Sequence, residues 1–244
     1  MRLFDRLTDA LLELGLLFAL LLGLYALWDG REVDRAADPA VYRAFRPAAE
    51  EGPGFEALRA INPDVFAWLR VDGTPIDYPV VQTDNNETYL STDAQGRWSL
   101  SGAIFLDYRN DPKFTDFNSI LYGHHMEKRR MFGAVSDFAD PAFFAAHPSG
   151  ELYVDGESRE LSFFALALTD AYDALLLEPG LEGGRRQALL DRLEALSLCR
   201  RELNVTPEDT LVLLSTCTDA IPNGRYLLAG ILRQSGGTEE GNAP

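Results

Sequence analysis

Apolar residues follow three rhythms along this chain, and each rhythm predicts a different element. Near the N-terminus the run is continuous: Leu14 to Trp28 reads LGLLFALLLGLYALW, fifteen residues without a charge. Counting back through Glu13 to Leu11 extends it to about 18 residues, close to the ~20 that carry a helix across a bilayer. The run is apolar on every face, unlike a core helix with one buried stripe. Glu13 stands near its N-terminal end, within reach of the interface, and Tyr25 and Trp28 stand at the other end as interfacial aromatics do. No small-x-small cleavage site follows, since the chain leaves through Ala26-Leu27-Trp28-Asp29. The pattern therefore predicts a retained anchor over residues 11–28 rather than a removed signal peptide. Arg2 and Arg6 precede it, which keeps the short N-terminus cytoplasmic and places the rest of the chain outside.

After the anchor the rhythm shortens. Residues 32–50 are polar and interrupted by Pro39 and Pro47, which predicts a partly helical stalk, and Phe55–Ile61 reads as a short helix ended by Asn62-Pro63. Short apolar runs then recur between turn residues: Val65–Val71, Ile76–Gln82, Ala103–Asp107, Ser119–Tyr122, Gly150–Val154, Leu161–Thr169, Thr210–Thr216 and Arg225–Leu232. Asp72-Gly73 and Asp155-Gly156 supply turn signals between them. This spacing predicts a mainly β fold with added helices, a closed or nearly closed barrel of about eight strands. The third rhythm is helical. It covers Met131–Ala146, with Phe132, Val135, Phe138 and Phe143, and Arg185–Leu198, with Leu189, Leu190, Leu193 and Leu196. The second of these is a helix inserted before the strand that ends in Cys217. The chain thus divides into an anchor (1–30), stalk and N-terminal helices (31–60), a barrel (61–234) and a disordered tail (235–244).

Charge narrows the possible partners. The chain carries 22 Lys+Arg against 38 Asp+Glu, a net charge of −16 over 244 residues. Residues 1–31 hold three Arg and four acids, so nearly all the acidity lies beyond the anchor. No basic stripe is available to neutralise phosphates, which excludes nucleic acid as a partner. Two cysteines, Cys199 and Cys217, are too few for a disulfide-stapled scaffold, and both are expected to be free thiols.

Three features stand where strands meet loops: a cysteine, a pair of histidines and an arginine. Cys217 ends the apolar run Leu211-Val-Leu-Leu-Ser-Thr-Cys217, a position that substrate can reach, although free cysteines are also common as small core residues. His124 and His125 follow Tyr122-Gly123 at the end of another strand. Neighbouring histidines on a strand point to opposite faces, which argues against one metal ion shared by His124, His125 and Cys217. Arg225 opens the last strand, and antiparallel pairing across the 218–224 loop would bring it beside Cys217. It would there either pair with an acid such as Asp219 or stabilise a developing oxyanion. The run Lys128-Arg129-Arg130 is expected to add positive charge on the same side.

Four local patterns resemble a class B sortase, a membrane-anchored cysteine transpeptidase of Gram-positive bacteria. They are Asn62-Pro-Asp-Val-Phe-Ala-Trp-Leu69, Ile76-Asp-Tyr-Pro-Val-Val81, Tyr122-Gly-His-His-Met126 with Met131-Phe132, and Leu214-Ser-Thr-Cys217 with Arg225. They occur in family order over residues 62–232, and Leu213 departs from the threonine the family usually has there. The resemblance implies a sortase-like closed barrel, Cys217 as nucleophile, His124 rather than His125 as general acid/base, and Arg225 as oxyanion stabiliser. It also implies substrate contacts at Ser215, Asn86 and Leu90, and neither cofactor nor metal. The implied reaction cleaves a surface-protein sorting signal after Thr through a Cys thioacyl intermediate. The acyl group then passes to an amine of a peptidoglycan precursor or crossbridge. The chemistry suits these residue types: only the thiolate attacks well, and an adjacent imidazolium and guanidinium favour it. A pilin-polymerising enzyme, a hydrolase using water, and an idle membrane-tethered binding module are the alternatives.

Overall fold

The computed structural model of the protein describes residues 2–47 and 54–234. The expected tail at 235–244 and residues 48–50 of the expected stalk lie outside the described residues. The N-terminal run forms one unbroken helix, α1 (Arg2–Ala36), whose leucines from Leu11 to Leu27 are all more than half exposed. By length and composition it is able to cross a membrane. It continues past residue 30 without a break and delivers the chain directly onto the barrel.

The segment after α1 is no free stalk. Ala37 and Tyr42 are buried, and the Tyr78 hydroxyl donates to the Ala37 carbonyl at 2.8 Å. Asp38 caps the short 3-10 turn Pro39–Val41 by accepting from Ala40 N, and Arg46 pairs with Asp77. The apolar side chains of Val41, Tyr42 and Phe45 explain the docking, since they have a barrel surface to cover. Next, α2 (Gly54–Ile61) buries Phe55 and Leu58 and ends at Asn62, as the following proline dictates.

Nine strands follow: β1 (Val65–Val71), β2 (Asp77–Val81), β3 (Ile104–Leu106), β4 (Asn118–Tyr122), then, after the short helix α3 (Pro141–Ala146), β5 (Ser149–Val154) and β6 (Glu157–Asp170). Helix α4 (Gly184–Leu196) precedes β7 (Ser197–Arg200), β8 (Leu211–Thr218) and β9 (Gly224–Gln234). Pairing runs β5-β1-β2-β3-β4-β8-β9-β6, and β6 pairs back to β5, so eight strands close a ring and β7 hangs outside on β6. The β2–β3 and β4–β8 pairs are parallel and the others antiparallel. Asp155 and Gly156 both take positive φ (53° and 84°), the geometry of a tight hairpin turn.

Two expected helices take different forms. Residues 131–146 split into a 3-10 stretch, Gly133–Ala139, and α3, because Asp140 and Pro141 start a new helix capped by the Asp140 carboxylate. The helix expected through Leu198 stops at Leu196, and Cys199 lies on β7, where pairing with β6 takes over the backbone. Cys199 is buried, and that burial, followed by the nearby Asp140 charge, pushes its thiol up.

The barrel interior and its outer face are both filled. Val212 and Leu214 of β8 point into the interior with Leu121, Leu152 and Phe163. Leu211 and Leu213 point outward, where Leu189, Leu190 and Leu193 of α4 cover them together with Ile120 and Leu227. Burial on both faces explains why this strand reads as a continuous apolar run rather than an alternation. The helical cover stops short of the strand's end, and Cys217 emerges exposed just beyond it.

Candidate active site

Cys217 and Arg225 are direct cross-strand partners on β8 and β9. Such partners share one face of the sheet, with Cβ atoms roughly 5 Å apart. The tip between them is tight: Gly224 N donates to the Ile221 carbonyl at 3.0 Å, and Asn223 takes φ 52°. Among the described residues no ion pair joins Arg225 to Asp219.

His124 reaches the same place from β4. In the parallel β4–β8 pairing Tyr122 lies opposite Ser215, so the chain leaves β4 level with the end of β8. Gly123 is clasped to β8 by its N–H, which donates to the Ser215 carbonyl at 3.2 Å, and by its carbonyl, which accepts from the Thr216 hydroxyl at 2.9 Å. A Cβ at Gly123 would lie 2.5 Å from Ile104 Cδ1 and 2.8 Å from the Phe132 ring, so this approach requires glycine. His124 Nε2 lies 2.8 Å from the Leu90 carbonyl. A carbonyl only accepts, so Nε2 carries a proton in this arrangement. His125 is exposed and its backbone bridges to Met131.

Asn86, Leu90, Phe105, Tyr122, Gly123, His124, Cys217 and Arg225 line one cleft with about 210 Å³ of water-accessible space. The structure thus brings together five of the six residues singled out from the sequence. The sixth, Ser215, is fully buried on β8, does not line the cleft, and its hydroxyl has no hydrogen-bond partner among the described residues. Cys217 and Arg225 also border a second depression, formed with Ala171 and residues 218–224. The cysteine therefore borders two openings.

Beneath the cleft lies a residue that the sequence pattern does not mark. Asp107, just after β3, is fully buried. Its Oδ2 accepts from Asn86 Nδ2 at 3.0 Å, from the Tyr122 hydroxyl at 3.2 Å and from Arg109 Nη2 at 2.9 Å, while Oδ1 accepts from Arg109 Nε and the Arg109 amide. Burial alone would raise its carboxyl, but the bonds from Arg109 and Asn86 outweigh it and hold the group below the usual carboxylate value. Burial, with the Asp107 charge added, pushes the Tyr122 phenol well above its ordinary range. Asn86 is fixed further because its Oδ1 accepts from Tyr108 N at 3.1 Å. The one signal in the sequence is a carboxylate directly after a strand, level with Tyr122 on the next one.

The Lys128–Arg130 run does not serve this cleft. Lys128 pairs with Asp34, Arg129 with Asp137 and Arg130 with Asp38, and none of the three lines it. The expectation of local positive charge from that run is corrected: aspartates after the anchor and in the 133–139 turn neutralise it.

No family model matches the chain. Among curated relatives, sortase B of Staphylococcus aureus is 33% identical over 168 residues, which is 69% of this chain and 69% of that protein. Among solved structures, sortase B from the type II pilus of Streptococcus pneumoniae is 41% identical with a TM-score of 0.64, covering 75% of this chain and 99% of that one. Staphylococcus aureus sortase B in complex with substrate, and a sortase B in complex with triglycine, are each 31% identical with a TM-score of 0.69, covering 75% of this chain and 86% and 87% of those chains.

Proposed function

The chain belongs to the sortase B family of cysteine transpeptidases, and from that premise we propose that Cys217 is the nucleophile, His124 the proton carrier and Arg225 the oxyanion donor. The observation that carries this assignment is the pairing of Cys217 with Arg225 across β8 and β9, at a cleft that His124 also lines. The Cys217 thiolate attacks the carbonyl carbon of the threonine in a sorting signal. Arg225 donates to the oxygen as it becomes negative, a role commonly worth ~3 kcal/mol per donor. The C–N bond then breaks, and protonated His124 gives its proton to the departing amine, leaving a thioester on Sγ. An incoming amine attacks that thioester, neutral His124 takes the amine's proton, and the thiolate is released as the new amide forms.

Asn86 and Leu90 belong to the donor cleft in this reading, with Asp107 holding Asn86 and Tyr122 in place. Ser215 contributes as a substrate contact only if the β8 end opens around the bound peptide. The second depression bordering Cys217 is the entry for the amine, so that donor and acceptor reach the cysteine through separate openings. The likeness to complexes with substrate and with triglycine supports a peptide donor and an amine acceptor. Residues 11–28 cross the membrane with the N-terminus cytoplasmic and the barrel outside, where a cell-wall amine is available. The 41% identity to a pilus-derived sortase B favours one further acceptor, an amine on a second surface-protein subunit. The test is incubation with a sorting-signal peptide and triglycine. Ligated product from wild type and none from Cys217→Ala supports the assignment, whereas equal cleavage by Cys217→Ala overturns it.

A further inference from the structure

Trp98 and Leu100 stand two residues apart on the β2–β3 connection, 71% and 53% exposed. Their surroundings are not those of a loose loop. Trp98 bridges to Thr92, Ser99 N donates to the Ser91 carbonyl at 3.0 Å, and the buried Asp93 carboxylate accepts from Gln95 N, Arg97 N and Arg97 Nε. A well-fastened turn that directs an indole and a leucine into solvent exposes apolar surface with no partner among the described residues.

Their position says what covers them. Trp98 and Leu100 line a depression together with Asp29, Glu32, Val33 and Ala36 of α1. These four residues directly follow Trp28, where the apolar run ends. The helix is unbroken there, so at 1.5 Å per residue the stretch from Trp28 to Ala36 spans only about 12 Å. Tyr25 and Trp28, with ring centroids 6.1 Å apart, mark the level at which aromatic side chains meet lipid headgroups. Four of the five charged residues that line the depression are paired locally, Arg97 with Asp93 at 2.8 Å and Arg35 with Glu32 at 2.9 Å, and the fifth is Asp29, next to Trp28.

We propose that Trp98 and Leu100 insert into the headgroup–acyl boundary of the bilayer that holds α1, giving the barrel a second attachment to the membrane. The inference rests on the reading of α1 as the membrane span. One helix fixes the distance of a domain from the bilayer but leaves its tilt free; a second contact removes that freedom. The same connection carries Leu90, whose carbonyl accepts from His124. The contact therefore sets the height and facing of the cleft above the surface from which a membrane-borne substrate would present its signal.

The test uses the full-length protein in phosphatidylcholine vesicles, with and without bromine atoms at shallow acyl positions. Trp28→Phe leaves Trp98 and the buried Trp68 as emitters, and Trp98→Phe leaves Trp28 and Trp68. The expected result is that bromolipid roughly halves the emission attributable to Trp98, as it does for aromatics seated at the interface. Adding Leu100→Asp to the Trp28→Phe protein should abolish that quenching while the melting temperature stays unchanged. Quenching of Trp28 without quenching of Trp98 overturns the proposal, leaves the span intact and points to a soluble partner for the patch. Absence of quenching at both positions overturns the span itself and the second contact with it.

Discussion

A buried carboxylate needs partners for both oxygens, and Asp107 finds them in Asn86 and Tyr122 of the cleft wall and in Arg109, two residues further along the chain. Asp107→Asn keeps the shape but weakens the bonds to Arg109, and we expect a loss of about 2 kcal/mol, the scale of hydrogen bonds to charged groups. The pH dependence has a definite sign. Because the folded carboxyl is held below its ordinary value, its contribution is present above the usual carboxylate range and disappears as pH falls through the folded value. Denaturation of wild type and Asp107→Asn should therefore converge below about pH 4 and diverge above it. Ser215 makes the opposite case. Its hydroxyl is buried without a partner, so Ser215→Ala should leave the melting temperature unchanged or slightly higher. For Arg225, lysine retains the charge but loses the planar fork, and Arg225→Lys should lower kcat/KM by about 100-fold with little change in stability. The cysteine, histidine and arginine were legible because each stands where a strand pattern stops. Asp107 was not, since one more aspartate in an acidic chain has no periodicity and gains meaning only once Asn86, Arg109 and Tyr122 converge on it.

The strands were legible because burial writes itself into the sequence. Val65–Val71 matches its expected limits, and the Cys217–Arg225 pairing followed from the length of the 218–224 loop. Elements that depend on a distant neighbour were not. Strand β7 is only four residues long and forms because β6 extends past β5, leaving the edge at Ala165–Ala167 for it to pair with, so no local pattern announces it. The fate of Lys128 and Arg130 was equally hidden, being decided by aspartates some ninety positions earlier, while Arg129 pairs with the nearby Asp137. The clasp of Gly123 between β3, β8 and Phe132 yields a prediction at this level. Gly123→Ala must displace Ile104 or Phe132, and we expect a folded protein with at least about a 10-fold loss of kcat, because a misplacement of about 1 Å is costly in catalysis. Circular dichroism alongside the peptide assay separates that outcome from simple unfolding.

At the scale of the whole molecule, the N-terminal region is both a tether and part of the fold. Ala37 and Tyr42 belong to the barrel's core, and Asp34 and Asp38 pair with the loop that follows His124. A protein lacking residues 1–53 should therefore melt lower than one lacking only residues 1–29, by about 5 °C or more, given the burial it forfeits. The expected division into anchor, stalk and barrel missed this because a proline-broken polar stretch looks the same whether it hangs free or lies on a surface. The architecture places Cys217 exposed near the end of β8, bordering two openings, and the proposed reaction depends on that exposure. The most direct test is intact and peptide-level mass spectrometry of the protein mixed with a sorting-signal peptide in the absence of an acceptor amine. The expected result is a hydroxylamine-labile adduct, with the mass of the peptide's N-terminal fragment, on Cys217 and not on Cys199. A peptide cleaved without any adduct on Cys217, or an adduct that persists in Cys217→Ala, would contradict the assignment.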